Sequence, residues 1–233
     1  MIQKQMQTRL VILLFLVTST IGGQHERRLL KHLFVKQQHD PLERPTENDS
    51  ESVSVHLAFS FINLIDFDIK NNVLITKFWM TQTWQDYSMT WKPQLNGNID
   101  AIRIPTTKIW LPDIVLYNSV DENYDNYMKT NAVVAHTGQI LYVSPRIFKS
   151  TCSFNTSSFQ IVRINITTST NTIDLSSYVI NNKWKLIDSY MTLNEVKYEC
   201  CPQAYLSVVL TIKIRRVLDD FPININGTEN EDK

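Results

Sequence analysis

Two cysteines stand side by side, Cys200 and Cys201, with Tyr198 just before them and Tyr205 shortly after. In an oxidising compartment adjacent thiols can close on each other. Neighbouring α-carbons lie about 3.8 Å apart across a trans peptide, below the usual disulfide range, so such a ring is strained and would fix a tight turn. Two free thiols, or links to other molecules, are the alternatives. Between tyrosines on a secreted chain, the closed pair reads as a candidate recognition element. The only other cysteine is Cys152, left over by this pairing as a free or intermolecular thiol.

Other chemistry finds less support. The five histidines, His25, His32, His39, His56 and His136, pair with no Cys or Glu at a metal-site spacing. His25, His32 and His39 recur every seven residues, which would put them on one helical face, but a solvated face is the plainer reading and no metal is expected. Only five glycines occur, and no glycine-rich phosphate loop is among them. Asp66 with Asp68, and Asp219 with Asp220, are carboxylate pairs in turn-like or terminal settings, better read as solubilising than as acid and base. No nucleophile elbow is present. Lys plus Arg and Asp plus Glu both total 23, so no net charge draws a nucleic acid or an anionic membrane. An enzyme is not expected, nor any cofactor.

The elements that must position the cysteine pair follow from periodicity. Lys4 and Arg9 precede an apolar run from Leu10 to Val17, then small or polar residues to Gly23: a secretory signal peptide, residues 1–23, with cleavage near Gly22 or Gly23. Leu29, Leu30, Leu33 and Phe34 predict one amphipathic helix between Glu26 and Val35. Then the period falls to two. Val53, Val55, Leu57, Phe59 and Phe61 mark a half-buried strand, Asp68 to Asn72 a turn, and the run from Val73 to Met80 a return strand, with Trp79 on one face and Phe78 and Met80 on the other. Further strands are expected at Ala101–Ile104, Val133–Ala135, Ile140–Val143, Gln160–Thr167, Trp184–Met191 and Tyr205–Arg216. Repeated short strands argue for an all-β antiparallel sandwich. Four sequons, at Asn48, Asn155, Asn165 and Asn226, suit an extracellular surface. Residues 218–233 read as a polar, disordered tail.

Larger blocks carry a resemblance. FWMTQTWQDYSMTW at Phe78 to Trp91, RIPTTKIWLPDIVLYN at Arg103 to Asn118, DLSSYVINNKWKLID at Asp174 to Asp188, YECCPQAY at Tyr198 to Tyr205 and LTIKIRR at Leu210 to Arg216 together resemble the extracellular ligand-binding domain of nicotinic acetylcholine receptors and the soluble acetylcholine-binding proteins. The resemblance covers nearly all of residues 24–217. It implies a ten-stranded immunoglobulin-like sandwich behind an N-terminal helix, in a homo-pentamer or co-assembled with receptor subunits. It further implies that acetylcholine or a related amine is bound between subunits inside a box of aromatic faces. One face would supply Tyr117, Tyr198, Cys200, Cys201 and Tyr205, the disulfide of Cys200 with Cys201 closing as a lid. The other would supply Trp79, with Leu141 and Val143. Trp84, Trp91 and Trp110 are implied core members, and Trp184 a strand residue.

The chain departs from the family pattern after Cys152. The pattern has a second loop cysteine there and then a Gly-Ser-Trp whose indole backs the box; this chain reads CSFNTSSFQIVRINITTSTNTIDL, with neither, and no aromatic residue lies between Phe159 and Tyr178. After Arg216 the residues turn polar where the receptors begin a membrane-spanning helix. A secreted, pore-less binding protein is therefore the first expectation. A truncated receptor subunit that modulates or disrupts the assembly of full-length channels is the second.

Overall fold

The computed structural model describes residues 23–122, 128–151, 157–161, 164–168, 171–197 and 204–217. Residues 1–22 of the expected signal peptide, the tail, Cys152, Tyr198, Cys200, Cys201, Asn155 and Asn226 lie outside them.

Helix α1 covers Gln24–Lys31 and continues as a wider π-type turn, His32–Lys36. Its apolar stripe does what the spacing predicts: Leu29 and Leu33, four apart, are fully buried, with Leu30 and Phe34 partly so. Glu26 sits in the first turn and Arg28 and Lys31 in the last, the arrangement the helix dipole favours. Arg28 also donates from Nη2 to the carbonyl of Leu95 at 2.8 Å, tying the helix to the sandwich.

The strands are β1 Val53–Asp68, β2 Val73–Thr90, β3 Ala101–Pro105, β4 Val115–Leu116 and β5 Asn131–Ala135, then β6 Thr137–Thr151, β7 Ser157–Ile161, β8 Ile164–Thr167, β9 Trp184–Lys197 and β10 Ala204–Arg216. They form a six-stranded sheet in the order β3-β5-β6-β2-β1-β8 and a four-stranded sheet in the order β4-β7-β10-β9. The alternation read from the sequence is the alternation of burial. Val53, Val55, Leu57, Phe59 and Phe61 of β1 face inward, as do Leu74, Thr76, Phe78 and Met80 of β2. Phe61 meets Phe78 at 4.9 Å between ring centroids and stacks on Tyr178 at 5.1 Å. Each such ring contributes about 1.5–3 kcal/mol of burial. Asp68 closes the β1–β2 turn by accepting from the backbone N–H and side-chain amide of Asn71.

Three expectations are corrected. Gln160–Thr167 is two strands, not one: β7 joins the four-stranded sheet, whereas β8 pairs with β1, Val53 with Ile164 through His56 with Thr167. At the crossing the apolar alternation slips by one residue, from Phe159 and Ile161 to Val162, Ile164 and Ile166, a break that a single strand read across it overlooks. The β1–β8 pair is parallel, as are the isolated bridges of Ser60 with Asp174 and Asn63 with Val179, whereas the other strand pairs among the described residues are antiparallel. Ile140–Val143 is only part of β6, which continues through Pro145 to Thr151. A proline normally argues against a central strand. Here β5 pairs only with Leu141 and Ile140, so beyond them β6 is laddered mainly to β2 and the missing N–H is tolerated.

Candidate functional site

Trp79, Leu141 and Val143 are brought onto one surface by the register of β2 with β6. Trp79 pairs with Pro145, Thr81 with Val143 and Thr83 with Leu141. Directly opposed residues share a face, and the intervening Met80, Gln82, Trp84, Tyr142 and Ser144 are all buried, so this row is the outer face of the six-stranded sheet. Trp79 and Leu141 are each 38% exposed, a large indole and an isobutyl group left uncovered in the middle of a sheet. Ser60 of β1 stands opposite Trp79 on the other side. None of Ser60, Thr81, Thr83 and Pro145 is charged. Any attraction this centre offers a cation comes from the indole face rather than from an ion pair.

Tyr117 follows β4 and is 64% exposed. Its loop is held firmly: Asn118 donates from Nδ2 to the carbonyl of Thr151 at 2.7 Å, the Thr151 N–H returns to Asn118, and the Val120 N–H donates to Lys149. Lys149 in turn pairs with Asp121 at 3.0 Å. Ser119 of this loop is bridged to Ser150, while Trp79 pairs with Pro145. Five residues of strand separate those anchors, about 17 Å at ~3.4 Å per residue.

Tyr205 pairs with Val196 near the start of β10, and Ala204 with Lys197 is the last pair of the β9–β10 hairpin. The stretch joining these strands carries Tyr198, Cys200 and Cys201. The implied tryptophan roles hold: Trp84 and Trp91 are buried, Trp110 packs edge-on against Trp84 at 6.0 Å, and Trp184 opens β9. The Trp91 indole N–H donates to the Ile99 carbonyl at 2.7 Å.

A second cluster joins residues that no motif read from the sequence groups together. His39, past the helix end, Asp86 and Ser88 meet in the interior, the imidazole side chain 3% and the carboxylate 0% exposed. Ser88 donates its backbone N–H and its hydroxyl to Asp86 Oδ1 at 2.9 and 2.7 Å. The Ser88 proton being so used, His39 Nδ1–H is the donor across the 2.7 Å contact to Ser88 Oγ. These are the residue types of a nucleophilic triad in the wrong order, since the hydroxyl sits between acid and imidazole and its proton points away from the base. The set is a clamp joining the segment after α1 to the end of β2. Residues 39 and 86 stand too far apart in sequence for any spacing to announce it. Among the described residues no group of three metal-ligating side chains converges, and no helix is long and apolar enough to cross a membrane.

Comparison with known proteins agrees with this architecture. The chain is 36% identical over 225 residues to the acetylcholine receptor subunit alpha-type acr-16 of Caenorhabditis elegans, an alignment covering 90% of this chain and 45% of that one. It is 34% identical over 223 residues to the human neuronal acetylcholine receptor subunit alpha-2, covering 88% and 42%. The chain therefore spans less than half the length of these curated relatives. Residues 26–161, more than half of the chain, match the family described as the neurotransmitter-gated ion-channel ligand binding domain, and the chain belongs to that family.

Proposed function

We propose that this chain is an extracellular, secreted binding unit that takes acetylcholine or a related amine between neighbouring subunits of a pentamer, and that it performs no catalysis. The observation that carries the reading is the separation of two exposed aromatic half-sites on one chain. Trp79 with Leu141 and Val143 lies on the outer face of the six-stranded sheet, and Tyr117 projects from a braced loop anchored about 17 Å away along β6. A cation must sit within about 6 Å of each ring it contacts. Juxtaposing two copies closes that gap; a single copy leaves each half open. Cys200 and Cys201, disulfide-linked, would cover the site together with Tyr198 and Tyr205.

The purified secreted protein should elute as a pentamer by size exclusion with light scattering. Titration with acetylcholine and other nicotinic amines should give a saturable change in tryptophan fluorescence that Trp79→Phe removes. A monomer without any saturable response would refute the reading.

One observation favours a second role beside it. The stretch from Cys152 lacks the family's second loop cysteine and the indole that backs the box, whereas Trp79, Leu141 and Val143 are present and share the outer face of the six-stranded sheet. A chain built this way supplies the Trp79 face better than the Tyr117 face. Co-expressed with a full-length receptor subunit, it should co-purify and alter currents, with Trp79→Ala abolishing the change in currents.

A further inference from the structure

The outer face of the four-stranded sheet gathers positive charge that the chain's overall balance of 23 basic and 23 acidic residues conceals. Lys183, just before β9, and Lys185 alternate with Trp184 and Leu186; on β10, Lys213 and Arg215 alternate with Ile212 and Ile214. The four apolar side chains pack against the core, so the four cations point the other way, and all four are exposed. Arg216, also exposed, follows at the end of the strand.

Register sets these cations against each other. Arg215 pairs directly with Lys185. Like charges at opposed positions of an antiparallel pair are destabilising, because their Cβ atoms stand only about 5 Å apart. Lys213 escapes this: the register slips between it and Ile214, β9 carries one extra residue there, and the bulge sets Asp188 opposite Lys213. Lys213 Nζ donates to Asp188 Oδ2 at 2.9 Å and lies 5.2 Å from the centre of the Tyr190 ring. Neither Lys183 nor Lys185 has an ion pair among the described residues. On the other side of β10 lies β7, and residues 150–162 contain no Asp or Glu that could neutralise the row.

We propose that this row is a docking track for a linear polyanion, a sulfated polysaccharide. The cations stand in line and face outward instead of converging on a point, so they enclose no small anion. A chain of regularly spaced sulfates neutralises them one after another and releases the counterions they hold. Lys185 beside Arg215 costs stability in the free protein, and a sulfate bound between them relieves it. The guanidinium offers paired N–H donors to that sulfate, and the lysines act as point charges. The choice of a polysaccharide over a nucleic acid rests on the extracellular placement proposed above, whereas no residue of the track belongs to the amine site.

The full chain secreted from a eukaryotic cell line provides the test, with heparin as the probe. Calorimetric titration near physiological salt should show binding that weakens steeply as salt is raised. Lys185→Glu should weaken it at least about fivefold, the scale of one surface cation at an anionic interface. The same variant should melt no lower than the parent, because it sets an opposite charge against Arg215. Lys183→Glu should weaken binding likewise and serves if Lys185→Glu is not secreted. Lys92→Glu, exposed beyond the other end of β2, should bind as the parent does. Trp79→Ala should also leave heparin binding unchanged, which separates this test from that of the amine site. No binding by the parent, or equal affinity in the parent and both track variants, overturns the inference. So does binding to phosphatidylserine vesicles without binding to heparin, which would make the row a membrane contact. Heparin binding gained only when Asp219→Asn and Asp220→Asn are combined overturns it too, since the chain's own acidic pair would then occupy the row.

Discussion

Removing the carboxylate of Asp86 tests whether the His39–Ser88–Asp86 cluster is a structural clamp. Asp86 is fully buried and accepts two hydrogen bonds from Ser88, at 2.9 and 2.7 Å, with His39 Nδ1 3.8 Å from its second oxygen. Each hydrogen bond to a charged group contributes about 1.5–3 kcal/mol, so truncation to alanine forfeits about 3–6 kcal/mol gross. Part is returned because a buried charge no longer has to be desolvated, and removing one partner of a buried charged set costs about 3–5 kcal/mol in comparable cases. Taking about 3 kcal/mol, and a shift of about 2–4 °C per kcal/mol for a domain of this size, Asp86→Ala should melt about 6–12 °C below the parent. Asp86→Asn keeps an acceptor at the Oδ1 position for both Ser88 donors, so it should lose about half as much. Circular dichroism melts of the secreted proteins at pH 7 measure both. If Asp86→Ala melts within about 2 °C of the parent, or Asp86→Asn is as damaging as alanine, the clamp is not holding the segment after α1 and the hydrogen bonding argued for Ser88 is wrong.

Gly138 has φ +83° and lies against the Asp86 carbonyl, which a Cβ would strike along with Thr90 Cγ2. Gly138→Ala should cost about 3 kcal/mol or more, seen as lost secretion or a melting temperature lowered by at least about 6 °C. Asp174 has its pKa held below 3.8, first by the Ser176 backbone N–H and then by the hydroxyls of Ser60 and Ser176. A depressed carboxylate stabilises the fold above its unfolded pKa and loses that contribution as pH falls through its folded one. The melting difference between the parent and Asp174→Asn should therefore be constant near neutrality and shrink below about pH 4; a difference independent of pH would remove the carboxylate from the account. Leu141→Lys, on the outer face and in the row that also holds Arg103, should leave monomer melting unchanged while light scattering shows the pentamer lost. For the proposed amine site, Trp79→Ala should weaken binding roughly thirtyfold by calorimetry, the equivalent of one desolvated cation–π contact of about 2 kcal/mol.

The fold was legible wherever each side of a strand met a different environment. Val53 to Phe61 and Leu74 to Met80 alternate because one face packs against the other sheet and the other does not, and the same contrast set their burial. Helix α1 was legible from Leu29 and Leu33 for the same reason. What escaped were features that alternation does not encode. Between β7 and β8 the period slips by one residue at Ile161 and Val162, a signal equally suited to a bulge within one strand, and only the pairing partners show that the chain changes sheets there. Strand β4 is two residues long, too short to have a period, and is defined by Val115 and Leu116 lying against Gln160 and Phe159. Strand β6 runs on past the expected Ile140–Val143 through Pro145, whose missing N–H its one-sided ladder tolerates.

The candidate site was legible in a different way. Strand period alone put Trp79 on the face opposite Phe78, but not beside Leu141 and Val143; that needed the register, which is fixed by long-range pairing across more than sixty residues. Resemblance supplied the grouping before the register did, because motif order carries the topology that a single strand cannot. Physical chemistry then explains why the grouping looks incomplete. A sheet centre that leaves an indole and a leucine each 38% exposed, flanked by threonines and a proline with no charge among them, resembles the uncovered core of an interface more than a solvated wall. The Tyr117 loop, by contrast, is exposed yet braced by Asn118, Val120 and the Asp121–Lys149 pair, as a presented side chain must be if it is to meet a partner without a large ordering cost. In the proposed assembly one half would be the surface to be covered and the other the side chain presented to it. Residues that act across two copies leave only such traces in one: exposure where burial is expected on the first face, and order where looseness is expected on the second.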